Sequence, residues 1–81
     1  MALIEVHFYA GAAEAAGTKL QSCRANSLEQ LFANLSHEHG DGLRRVLDVS
    51  SVLIDGVAHR SGGAAFWSDC RVDVLPPYAG G

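Results

Sequence analysis

Lysine is nearly missing from this chain of 81 residues, Lys19 being the only one. With the arginines the basic total reaches 6 against 9 acidic residues, a net charge of −3. The arginines form no stripe, so the electrostatic footprint of a nucleic-acid binder is absent. No apolar run approaches the roughly 20 residues that cross a bilayer. The first residues, "MALIEVHFYA", carry no basic region, which predicts no signal peptide. Cys23 and Cys70 are the only cysteines; they build neither a dense disulfide framework nor a CxxC pair. A cytoplasmic protein with reduced thiols is the expectation. Also lacking are a nucleophile elbow and a glycine loop for phosphates, so the chain brings no catalytic machinery of its own. There is no repeat, low-complexity tract or linker.

What is present is one small domain. An apolar fraction of 48% with 19% charged residues supports a core rather than disorder. At this length the core gives only a modest margin of stability. "LIEVHFYA" alternates as a strand, with Ile4, Val6 and Phe8 on one face and Glu5, His7 and Tyr9 on the other. "AGAAEAAGT" reads as a turn, although its alanines also allow a helical turn. "TKLQSCR" reads as a weak second strand that closes a hairpin with the first. "NSLEQLFANLSHEHG" is the clearest helix, because Leu28, Leu31, Phe32 and Leu35 fall on one stripe. Ser27 with Gln30 resembles a capping box, Asn26 being a rival cap, and Gly40 suits a left-handed stop. Leu43, Val46 and Leu47 suggest a short helical turn. "SVLIDGVAH" reads as a hairpin turning at Asp55-Gly56. "CRVDVLPP" reads as a last strand with Val72 and Val74 facing the core, ended by Pro76 and Pro77. The order is β-β-α-β-β, with a possible extra helical turn before the third strand. A mixed sheet packed on one main helix follows, with the other sheet face partly bare and open to a partner.

The last seven residues, "LPPYAGG", have an unusual design. Two prolines fix φ near about −65° and favour an extended course. Tyr78 offers apolar area with a polar tip. Gly80 and Gly81 have no side chain, so this end can thread a channel that a Cβ would block. Beyond Leu75 the segment reaches roughly 20 Å when extended. It would deliver the carboxylate of Gly81, which is ionised at neutral pH and must be activated, for instance by joining to AMP, before a nucleophile can attack it.

These residues carry a resemblance. "VHFYA" near the start, Glu14 and Gly17 after it, one helix in the first half and "VDVLPPYAGG" at the end resemble the MoaD/ThiS group of ubiquitin-fold sulfur carriers. The double proline before the glycines is closest to the small subunit of molybdopterin synthase. The resemblance implies an α+β, β-grasp (ubiquitin-like) domain over residues 1–81, with first and last strands parallel at the sheet centre and a flexible tail from about 76 to 81. It implies that Gly81 is adenylated by a ubiquitin-activating-type (MoeB-like) adenylyltransferase using ATP. A sulfur donor system would then convert it to a thiocarboxylate. That group would give its sulfur to a pterin precursor in complex with a MoaE-like large subunit. Ala79 and Gly80 would thread the partner's active site; Leu75, Pro76, Pro77 and Tyr78 would meet its surface. The chain itself would bind no cofactor, metal, nucleic acid or membrane. "SDC" at residues 68–70 and the loop "HRSGGAAFW" depart from the family pattern, without touching the tail. Sulfur delivery to cysteine or thiamine synthesis, a ubiquitin-like modifier of lysines, and a plain interaction module are the alternatives.

Other residues read more plainly. His37 and His39 point about 200° apart on a helix, which suits a solvated helix end better than a metal. His7 and His59 stand alone. Cys23 and Cys70 read as small hydrophobes. Phe8 reads as core, Trp67 as a lid packed at the sheet edge, and Arg71 as a solvated edge residue rather than a contact for an acidic partner patch.

Overall fold

The computed structural model describes residues 1–59 and 64–77. Tyr78, Ala79, Gly80 and Gly81, named above as tail residues, lie outside the described residues. The chain runs β1 (Ala2–Phe8), α1 (Gly11–Ala16), β2 (Leu20–Ala25), α2 (Leu28–His39), α3 (Asp41–Val49), β3 (Ser51–Ile54), β4 (Val57–His59) and β5 (Cys70–Leu75). The five strands form one sheet in the order β2-β1-β5-β3-β4. β1 and β5 are parallel at its centre, and the outer pairs are antiparallel. This is the β-grasp arrangement of a mixed sheet on one main helix.

Alternation in β1 decides which face is covered. Ile4, Val6 and Phe8 are buried, as are their β5 neighbours Val72 and Val74. Leu28, Leu31 and Leu35 of α2 and Leu43 and Leu47 of α3 pack against them in one cluster. Burying each such side chain contributes about 1.5–3 kcal/mol. Ser27 caps α2: its Oγ accepts from the Gln30 N–H at 3.1 Å, while Gln30 Oε1 accepts from the Asn26 N–H at 2.6 Å. The expected capping box is thus present, closed on Asn26 rather than on Ser27.

Four local expectations change. The alanine stretch is a helix, α1, whose Ala12 and Ala16 are buried, so β1 and β2 pair without a tight hairpin. α3 is a nine-residue helix rather than a short turn. Gly40, joining α2 to α3, has φ 95° and ψ −173°, so it is at positive φ but outside the left-handed helical well. A Cβ there would meet nothing within 4 Å, so only backbone conformation calls for glycine. Trp67 is not packed as a lid; it is 93% exposed.

The β3–β4 turn is as expected. Asp55 (φ 48°) and Gly56 (φ 84°) are both at positive φ, as a two-residue hairpin turn with the correct twist requires. Asp55 also ties the turn to the central strand. Its N–H donates to the Arg71 carbonyl at 2.8 Å, and its Oδ1 accepts from the Arg71 N–H at 2.8 Å.

Candidate functional site: the exit of the last strand

The last strand occupies the middle of the sheet, and its end decides where the tail leaves. β5 pairs with β1 through Phe8↔Val74, and the Tyr9 N–H still reaches the Val74 carbonyl at 3.3 Å. On the other side Leu75 pairs with Ser51. Pro76 has no N–H to continue the ladder, so pairing ends there. Pro76 is half-buried and Pro77 exposed. The tail therefore leaves from the end of a strand held on both sides.

The helix-free face around this exit is mixed in character. The register sets Leu20, His7, Asp73, Leu53 and Ala58 in one row across the sheet. Tyr9 and Leu20 are exposed, and Leu53 and Leu75 are half-buried. Leu75, predicted as partner surface, does lie on this face.

Beside it stands a polar cluster that the sequence does not announce. Arg71 Nε donates to Asp73 Oδ1 at 2.9 Å, and Arg71 Nη2 donates to the Tyr9 hydroxyl at 3.1 Å. The Tyr9 hydroxyl lies 3.4 Å from the same Asp73 oxygen. Asp73 is buried, so its carboxylate depends on these donors. The hydrogen bond to Asp73 holds the Arg71 guanidinium above its ordinary pKa, and the Tyr9 hydroxyl adds to this. Arg71 is solvated as expected but not at an edge; it sits on the central strand and holds Tyr9 beside the exit. Alternation alone puts Arg71 and Asp73 on one face, but Tyr9 joins them only through the parallel pairing of β1 with β5. On the same face His7 Nε2 and Glu5 Oε2 lie 2.9 Å apart.

The two thiols are poor nucleophiles. Ile4 pairs with both Cys23 and Cys70, which places them two strands apart, about 10 Å. That exceeds disulfide reach. Burial raises both thiol pKa values. Asp55 and Asp69 raise Cys70 further; for Cys23 a hydrogen bond with Asn34 offsets part of the rise and Glu38 adds to it. Both thiols stay protonated at neutral pH, the unreactive form.

His39 differs from the solvated histidine expected. Its Nε2 lies 2.7 Å from Gln21 Oε1, and its ring packs edge-on to Phe8 at 6.4 Å. His37 is exposed. Among the described residues no group of three or more His, Cys, Asp or Glu side chains is placed to hold a metal.

No protein-family model and no curated protein matches the chain. Solved structures do. The solution structure of small archaeal modifier protein 1 from Methanosarcina acetivorans superposes with a TM-score of 0.82 at 22% identity, covering 100% of this chain and 98% of that one. The Haloferax volcanii HVO 2177 protein gives 0.77 at 29% identity, covering 99% of this chain and 87% of that one. Subunit 1 or 2 of molybdopterin-converting factor, in the protein–protein complex of the two from Helicobacter pylori, gives 0.71 at 23% identity, covering 98% of this chain and 99% of that one. This likeness establishes the ubiquitin-like β-grasp fold over the whole domain.

Proposed function

We propose that this chain is a ubiquitin-like sulfur carrier whose reactive group is the carboxylate of Gly81. The observation that carries the reading is the junction at Leu75-Pro76. A strand locked at the sheet centre ends at a double proline, and Tyr78-Ala79-Gly80-Gly81 follow it in the sequence. The rigid body fixes where the tail starts, and the bare glycines let its end enter a narrow site.

The chemistry belongs to partners. A Gly81 carboxylate oxygen attacks the α-phosphorus of ATP on a ubiquitin-activating-type (MoeB-like) enzyme and releases pyrophosphate. Hydrosulfide released by a sulfur donor system then attacks the acyl-adenylate carbonyl. AMP leaves with the original oxygen, and a thiocarboxylate remains. The raised thiol pKa values of Cys23 and Cys70 agree with this, since the transferable sulfur is not theirs. Within this reading the recipient is the pterin precursor of molybdenum cofactor synthesis, held by a MoaE-like large subunit. The likeness to a molybdopterin-converting factor structure supports that choice. Tyr9, Leu75, Pro76 and Pro77 form the docking surface around the exit, and Tyr78, next in the sequence, is read as adding to it. The cytoplasm, where such partners work, is the place of action; no helix among the described residues is long and apolar enough to cross a membrane.

A second reading shares the activation step and differs in the acceptor. The likeness to small archaeal modifier structures supports a protein modifier, in which a lysine amine attacks the activated Gly81 carbonyl and an isopeptide bond forms as AMP leaves. An ATP–pyrophosphate exchange assay with the activating enzyme tests what both share. Exchange must depend on the chain and vanish when Gly81 is removed; exchange that survives this truncation refutes both. Conjugates of higher mass that disappear with Gly81 select the second reading.

A further inference from the structure

Asp73 is a buried carboxylate on the sheet face that no helix covers. Side chains of that same face shelter it. His7 and Leu53 flank it in the register. Its Oδ1 is met by Arg71 Nε at 2.9 Å and by the Tyr9 hydroxyl at 3.4 Å, and among the described residues no other group bonds this carboxylate. Arg71 reaches it from a fixed base: its backbone is bonded to Asp55 on one side and paired with Glu5 on the other. Tyr9 is fixed too, since its N–H donates to the Val74 carbonyl at 3.3 Å and its carbonyl accepts from the Ala12 N–H at 3.0 Å.

The direction of the tyrosine ring follows from these contacts. Phe8 stands beside Val74 in the parallel register, so Tyr9 stands level with Leu75, the last residue of the strand. Its hydroxyl lies instead against the side chains of Asp73 and Arg71, which come earlier in β5. The step from Leu75 back to Asp73 is about 6.6 Å, which a tyrosine side chain spans. The ring is therefore laid back along the strand, away from the junction with Pro76. Without its two polar partners it would turn among the staggered positions, including those that carry it towards Leu75. We propose that Arg71 and Asp73 are positioning residues for the loading of Gly81: they draw the Tyr9 ring back and keep the Leu75–Pro76 junction open to the activating enzyme. This role rests on the carrier reading of Gly81. Both residues act through Tyr9 and not on the reacting carboxyl group.

The test is ATP–pyrophosphate exchange by a ubiquitin-activating-type (MoeB-like) enzyme, measured against the concentration of the full chain. Tyr9→Phe keeps the ring and the Arg71–Asp73 pair and loses only the hydroxyl; Arg71→Met removes the guanidinium. Each should raise the half-saturating concentration roughly two- to tenfold, the range for ordering one side chain at an interface, and leave the maximal rate unchanged. The double variant should be no worse than the poorer single one, because both changes break the same contact. In the labelled parent, nuclear Overhauser contacts should join the Tyr9 ring to the side chains of Arg71 and Asp73, and they should weaken in Tyr9→Phe. That variant leaves no buried carboxylate without its arginine, so it decides the matter even where Arg71→Met fails to fold. An unchanged half-saturating concentration in Tyr9→Phe, a lower maximal rate in its place, penalties that add in the double variant, or missing ring contacts in the parent each overturn the positioning role alone. A parent chain that supports no exchange refutes the carrier reading itself, and this role with it.

Discussion

Ala10 should be improved by losing its methyl group. It joins β1 to α1 at φ 50° and ψ −125°, a conformation open to glycine and hostile to any residue with a Cβ. Two hydrogen bonds keep it there: the Ala12 N–H to the Tyr9 carbonyl at 3.0 Å and the Glu14 N–H to the Ala10 carbonyl at 3.2 Å. Holding a non-glycine residue in such a region costs about 1–3 kcal/mol. Ala10→Gly removes that cost but frees the unfolded chain, which opposes the gain by about 0.4–1 kcal/mol. Relief of strain outweighs the added freedom, and the side chain is exposed, so no packing is lost. The expected net stabilisation is about 1 kcal/mol, or about 4–8 °C in Tm for a domain of this size. Urea unfolding followed by circular dichroism, with an unchanged m-value, measures it. A variant less stable than the parent would refute the strain argument. Ala10→Val should move the other way, since a β-branched side chain fits this backbone worse.

Three further outcomes follow from the same geometry. Ser27→Ala should cost about 1 kcal/mol by leaving the Gln30 N–H without its cap, measured by the same urea transition, while Ser27→Asp should keep most of that stability. Both thiols titrate higher in the fold than in the unfolded chain, so the folded state keeps protons that the unfolded chain releases. Their contribution is whole below the unfolded thiol pKa and is lost as pH rises through the folded value; urea midpoints against pH should fall less steeply on the alkaline side in a Cys23→Ala, Cys70→Ala variant, and an equal slope would contradict the raised values. Gly80→Val should leave the unfolding transition unchanged, since residues 78–81 follow the last strand, yet slow loading of Gly81 at least tenfold (about 1.4 kcal/mol in the barrier). Normal loading kinetics in that variant would count against the narrow-channel account.

Much of the fold is legible in the sequence because local and global signals agree. The alternation of Ile4, Val6 and Phe8, the Leu28–Leu35 stripe and the Asp55-Gly56 turn each specify one element without help from distant residues. The alanine-rich α1 is ambiguous, since it buries only the small Ala12 and Ala16 and becomes a helix by packing rather than by pattern. Trp67 departs from expectation because hydrophobicity says nothing of an anchored loop that turns a ring outward. The Arg71–Asp73–Tyr9 cluster needs a parallel pairing across more than sixty residues, which no local window contains. The tail reading rests on Gly80 and Gly81, whose missing side chains are visible in the sequence itself, together with the family resemblance.

The central claim is that Gly81 is the atom-carrying end of this protein. Incubation with a ubiquitin-activating-type enzyme, ATP and a sulfide source, followed by intact mass spectrometry and fragmentation, addresses it directly. The account predicts replacement of one oxygen by sulfur, localised to the terminal glycine and dependent on ATP. An unchanged mass under conditions where that enzyme loads its own carrier, or sulfur found on Cys23 or Cys70 instead, would contradict it.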